Sequence, residues 1–139
     1  MTKLASRLLV LSLLLAPVFA RAAEPAKPDA VASARAWLAL VDAGEYGPSW
    51  RESGALFRRA VTEEQWSQAL TGARTPLGAL KSRELDTRTE ATTLPGAPDG
   101  RYEVMQFRSS FASKAAAVET VTVSLEADGR WRVVGYFIK

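Results

Sequence analysis

FASKAAAVETVTVSLEADGRWRVVGYFIK, residues 111–139, can be read two ways at its start. Alanine-rich composition favours a helix from Lys114 to Glu119. That run is only about six residues, and isolated helices shorter than roughly 12–15 are marginal. Val121, Thr122 and Val123 follow directly and suit a pleated surface. The spacing therefore predicts a turn with Ser113-Lys114 near its tip, then a strand from about Ala116 to Leu125. The three alanines, Ala115 to Ala117, are expected where that strand crosses a close-packed helix or another chain.

Two turns fit EADGR, residues 126–130. A two-residue Asp-Gly turn pairs Leu125 with Arg132, whereas a three-residue turn with Gly129 left-handed pairs Leu125 with Trp131. The second register gathers Val121, Val123 and Leu125 on one face with Trp131, Val133 and Phe137. A one-residue slip would scatter that set, so the second register is the one predicted. Thr120, Thr122 and Ser124 then share the opposite face with Arg132 and Tyr136.

Two more strands precede this hairpin. In RYEVMQFRSSF, Met105, Phe107 and Phe111 alternate with Gln106, Arg108 and Ser110. ALKSRELDTRTEATT is a polar strand with little apolar alternation and belongs at a sheet edge. LPGAPDGR between them stacks two turn signals. Upstream of Pro76 the period is helical. Asp29 caps a helix over Ala30–Ala43 whose stripe is Val31, Ala34, Leu38 and Val41, with Trp37 at its edge and Gly44 just past its end. The rest of that helix surface is largely alanine. Pro48 opens a short, irregular helical segment broken near Gly54. Thr62 and Gln65 form a capping box, and Val61 and Trp66 stand where a hydrophobic staple joins them. Trp66, Ala69 and Leu70 make the buried side of that helix, which Gly72 and Pro76 end. The fold class is α+β: three N-terminal helical segments packed on one face of a curved four-stranded antiparallel meander sheet.

The N-terminus reads as an export signal. Lys3 and Arg7 precede an apolar stretch from Leu8 to Phe19, and Ala20-Arg21-Ala22 is an A-x-A cleavage site. The apolar run is about 12 residues, roughly 18 Å as a helix, too short for a bilayer core of roughly 30 Å. The expected organisation is a signal peptide over residues 1–22 cleaved near Ala22, a linker over 23–29, and a single domain over 30–139. The expected compartment is the periplasm or the exterior. No Cys follows the apolar run, so no lipid anchor is expected. The full chain carries 18 Lys and Arg against 15 Asp and Glu. Lys3, Arg7 and Arg21 belong to the signal, so the mature chain is balanced. A balanced chain offers no basic face for a phosphate backbone, and nucleic acid is not an expected partner.

The chain has neither Cys nor His. That removes Ser-His-Asp and Cys-His nucleophile systems, the usual zinc sites, and haem held by His or Cys. No catalytic residue, metal ligand or cofactor is assigned. Glu63 and Glu64 lie in the first turn of a helix, where acidic groups favour the dipole. Glu84 and Asp86 alternate onto one strand face with Ser82 and Arg88, as a solvated edge would. Arg58, Arg59, Lys81 and Arg83 read as solvent-facing. The four tryptophans read mainly as core. Tyr46 and Trp50, in the irregular segment, are the candidates for a partly open pocket, together with Arg108 if it faces the interior and holds an anion.

ARAWLALVDAGEYGPSW, LFRRAVTEEQW, TPLGALKSR, TTLPGAPDGRYEVMQF and KAAAVETVTV…DGRWRVVGYFI, in that order, resemble the bacterial domain-of-unknown-function family 4019. The resemblance covers about Ala32 to Ile138. It implies a small exported domain similar to the cystatin-like and nuclear-transport-factor-2-like architecture, a half-cone whose mouth can hold a small ligand. It supplies no catalytic residue to carry over. The expected function is a non-catalytic module that binds a small ligand or a protein. The alternatives are a carboxylate-dependent hydrolase or isomerase working in the cone, and a homodimer formed through the sheet face.

Overall fold

A computed structural model describes residues 29–139. The export signal and all of the linker except Asp29 lie outside the described residues. Four helices come first: α1 (Ala30–Asp42), α2 (Tyr46–Arg51), α3 (Ala55–Ala60) and α4 (Glu63–Arg74), followed by a 3-10 turn at Thr75–Leu77. Strands β1 (Leu80–Ala91), β2 (Tyr102–Phe111), β3 (Lys114–Leu125) and β4 (Trp131–Ile138) then form one antiparallel sheet in the order β1-β2-β3-β4. The helices lie on one face of it, and the fold is α+β.

Local chemistry fixes the helix ends. The Asp29 carboxylate accepts the Ala32 N–H at 2.7 Å, and Gly44 follows α1 in the left-handed region at φ 75°. The Thr62 hydroxyl accepts from Gln65 N–H, and the Gln65 side chain accepts from Thr62 N–H, completing the capping box of α4. The irregular segment resolves into two short helices separated at Gly54, giving four helices where three segments were expected. A side chain at Gly54 would collide with Val134 at 2.7 Å, and its N–H donates to Val133 O at 2.7 Å. Only glycine permits that approach of α3 to β4. Gly72 does not end α4, which continues to Arg74. Trp66 and Leu70 are buried as expected, but Ala69 is exposed and Arg74 completes the inward i, i+4 row instead.

The opening ambiguity resolves as strand. β3 begins at Lys114, directly paired with Phe111 across Ala112-Ser113. Ala117 is buried but Ala115 and Ala116 are exposed, so no helix crosses that end of the strand. Leu125 pairs with Trp131, and Gly129 is left-handed at φ 77°, as the three-residue turn requires. Beyond Val133 the predicted faces fail. Val123 pairs with Val133 but Thr122 pairs with Gly135, leaving Val134 as an extra residue. The bulge reverses the alternation. Tyr136 turns inward opposite Val121, and Phe137 turns outward and is 59% exposed. A similar irregularity at Asp86 puts Arg88 on the inner face, opposite Met105 and away from Glu84.

The core joins Ala34, Trp37, Leu38 and Val41 of α1 and Trp66 and Leu70 of α4 to Met105, Phe107, Val121, Val123 and Val133 of the sheet. Trp37 and Trp66 stack at 5.9 Å, and Tyr136 contacts both rings. Their indole N–H groups are satisfied: Trp37 donates to Ser49 O and Ser53 Oγ, and Trp66 donates to Ser49 Oγ. Burying an indole without such partners would be costly.

Candidate functional site

Two features are candidates: a buried ionic cluster and an open apolar groove. The cluster draws one residue from each of six elements. Asp42 ends α1, Arg74 ends α4, and Arg83, Ser109, Glu119 and Tyr136 come from β1 to β4 in turn. Arg83 donates to both Asp42 oxygens at 2.7 and 3.0 Å and to Glu119 Oε1 at 2.7 and 2.8 Å. Arg74 donates to Asp42 Oδ1 at 2.7 Å and lies over the Phe111 ring at 4.7 Å. The Glu119 carboxylate, fully buried, also accepts from Ser109 Oγ and Tyr136 Oη, each at 2.5 Å. Two carboxylates face two guanidiniums, so the cluster is neutral.

Burial works to raise the Asp42 carboxyl, but the Arg83 and Arg74 hydrogen bonds and charges outweigh it and hold it below the ordinary carboxylate value. Burial opposes the charge on Arg83, yet its bonds to Asp42 and Glu119 dominate and raise its pKa. Burial, then the Glu119 charge and hydrogen bond, push the Tyr136 hydroxyl up, so it stays a donor. Every Glu119 oxygen is engaged and none meets solvent. This geometry makes a polar core in which the Glu119 carboxylate is fully engaged, while among the described residues Arg74 Nε alone is buried without a hydrogen-bond partner. Sequence reasoning placed Arg83 in solvent and passed over Glu119, Arg74 and Asp42. The signal was the alternation: Arg83 stands two before Leu85, and Glu119 two before Val121.

The groove lies between α1, α2 and the β3–β4 hairpin and encloses about 670 Å³. Its walls are Ala32, Ala36 and Leu40 of α1, Pro48 of α2, and Trp131 and Val133 of β4, with Trp37 behind. Glu52, Arg130 and Arg132 edge it at the hairpin. The alanine face of α1 leaves the space: Ala32 and Ala36 are exposed and one turn apart. The opposite wall is anchored. Gly54 N–H holds Val133 O, and Ala55 N–H donates to Glu126 Oε1 at 2.9 Å. Arg132 is braced by Glu126 at 2.7 Å and Asp128 at 2.8 Å.

The residues proposed from sequence for a pocket do not converge. Tyr46 and Trp50 both pack against the core from α2, and Trp50 Nε1 donates to Val61 O at 2.8 Å. Arg108 lies on the uncovered face of the sheet, not the interior, because Phe107 and Ser109 on either side of it point inward. It is largely exposed and 3.3 Å from Asp86.

The family described as "Protein of unknown function (DUF4019)" matches residues 33–136. The chain belongs to the DUF4019 family. Its matched span begins in α1 and ends at Tyr136 of β4, so it takes in every residue lining the groove except Ala32 and all six members of the ionic cluster. No curated protein matches the sequence.

Proposed function

We propose that this DUF4019 protein is an exported, non-catalytic binding module, and that the groove between α1, α2 and the β3–β4 hairpin is its site. The observation that carries the reading is the groove itself. Its volume of about 670 Å³ falls in the range of small-molecule sites, and its lining is mostly apolar with a few polar groups at one end. The walls are braced by backbone and side-chain hydrogen bonds, so little ordering accompanies binding. The two buried carboxylates, Glu119 and Glu103, are committed to Arg83 and Arg88, which favours binding over carboxylate-dependent hydrolysis or isomerisation.

The test is direct. N-phenyl-1-naphthylamine, a neutral dye that brightens in apolar surroundings, is titrated into the native protein and into Ala36→Phe. Position 36 is exposed, so the substitution should leave the thermal melt nearly unchanged while filling the groove. Dye emission that saturates with the native protein and falls at least tenfold with the variant supports the site. Equal emission from both overturns it.

A further inference from the structure

We infer that β4 is a self-pairing edge: two copies of this chain join antiparallel along Tyr136–Ile138, about a two-fold axis at Phe137, so that two four-stranded sheets become one. The inference stands apart from the groove, whose β4 residues, Arg130 to Val133, lie upstream of the pairing segment.

The two edges of the sheet are unlike. β1 carries Lys81, Arg83, Glu84, Asp86, Arg88 and Glu90, the kind of charge pattern that keeps an edge from pairing. β4 carries no charge from Val133 to Ile138. Lys139 and Val118 exchange both backbone hydrogen bonds, and Thr120 pairs with Phe137. By alternation Phe137 also turns its N–H and C=O to β3, and Tyr136 and Ile138 turn theirs to the open side. No hydrogen bond from another element reaches those groups among the described residues. Upstream the edge is taken, because Gly54 N–H donates to Val133 O. An added strand therefore has room only beyond the bulge.

The side chains of that segment suit a second copy. With the axis at Phe137, each Phe137 stands opposite the other in a non-hydrogen-bonded pair, where side chains approach closest. Tyr136 stands opposite Ile138 on either side of it, so every pair is aromatic with aromatic or with a β-branched residue. Phe137 is a large apolar side chain left 59% exposed by the fold, and pairing covers it. A charge at a two-fold axis would meet itself, and this segment has none. A charged peptide would find no counter-charge along it. Gly135, on the same face as Phe137, leaves the rings clearance. The protomer alone does not require glycine there: its φ is not positive, and an added Cβ would meet Thr122 at 3.6 Å, an ordinary contact. Glycine inside a strand often marks a close approach by another backbone. A pairing this short falls below the roughly 1,200 Å² of stable interfaces, so the dimer is weak and reversible.

Sedimentation equilibrium of the purified protein from about 10 μM to 1 mM reads such an association. The expected result is a reversible rise from one protomer's mass toward two and no further, since an isologous contact closes. Phe137→Lys sets two ammonium groups against each other at the axis and should weaken association by roughly tenfold. Position 137 is exposed, so the thermal melt of the dilute variant should match the native one. The chain has no Cys, so Phe137→Cys reports on the axis alone. Opposed Cα atoms in such a pair lie about 4.5 Å apart, within disulfide reach, and mild oxidation should trap a covalent dimer. Arg108→Cys, on the uncovered sheet face two strands away, should not. One protomer's mass throughout overturns the inference, as does a dimer indifferent to Phe137→Lys. A dimer that Phe137→Cys cannot trap overturns the register. Cross-linking through Arg108→Cys as readily as through Phe137→Cys overturns the edge in favour of the sheet face.

Discussion

Asp42 shows how much can rest on one carboxylate. It ends a helix, where an acid is unfavourable to the dipole, yet it holds both Arg74 and Arg83. Because its pKa is depressed in the folded state, its contribution is present above the unfolded value of 3.8 and is lost as pH falls through the lower folded value. Asp42→Asn should therefore be destabilising at neutral pH by about 1–3 kcal/mol, since Asp42 is partly exposed and Arg83 keeps its bonds to Glu119. The gap between native protein and variant should narrow as pH drops below about 4. Urea melts at several pH values measure this; a gap constant down to pH ~2 would show that Asp42 is not the linked group. Asp128 contrasts with it. Its pKa is lowered to about 2, first by the Arg132 hydrogen bond and then by the Arg130 backbone N–H, but it is exposed and its pair is of the weakly stabilising surface kind.

Among the elements, β4 carries the decisive irregularity. The bulge at Val134 brings Tyr136 to Glu119 and sends Phe137 to solvent. Tyr136→Phe should cost about 1–3 kcal/mol, since it removes a donor from a buried carboxylate. Phe137→Thr should stay within about 0.5 kcal/mol. Chemical denaturation ranks the two, and the reverse order would mean the strand runs without its bulge. This is also where sequence reading reached its limit. The Leu125–Trp131 register was legible because Gly129 supplies the left-handed turn. WRVVGYFI, residues 131–138, is apolar on both faces, so period two could not reveal a dropped beat, and Gly135 beside it is the sole local hint. The capping box and the inner row of β2 were readable because each is decided within a few residues. The charged inner positions of β1 and β3 were in principle readable too, but a strand rich in Arg, Glu and Asp reads as an edge, and β1 is one. The groove was beyond reach, because its walls come from α1 and β4, at opposite ends of the domain.

At the scale of the whole molecule, the proposed compartment has its own test. Expression of the full chain in a Gram-negative host should yield protein in the periplasmic fraction whose intact mass begins at Ala23. Full-length mass in the cytoplasm would remove the export reading. Among the described residues no helix is long and apolar enough to cross a membrane. The same whole-chain view gives meaning to the packing of α1. The first helix rests on β4 and β3, and its final residue meets Glu119 through Arg83. Partners for Trp37 exist early, in Trp66, Ser49 and Ser53, but its burial is completed only when β3 and β4 are in place. Contacts so far apart along the chain form late. Closure of the core therefore waits for the C-terminal strand, whose Val133 and Tyr136 complete the packing around Trp37.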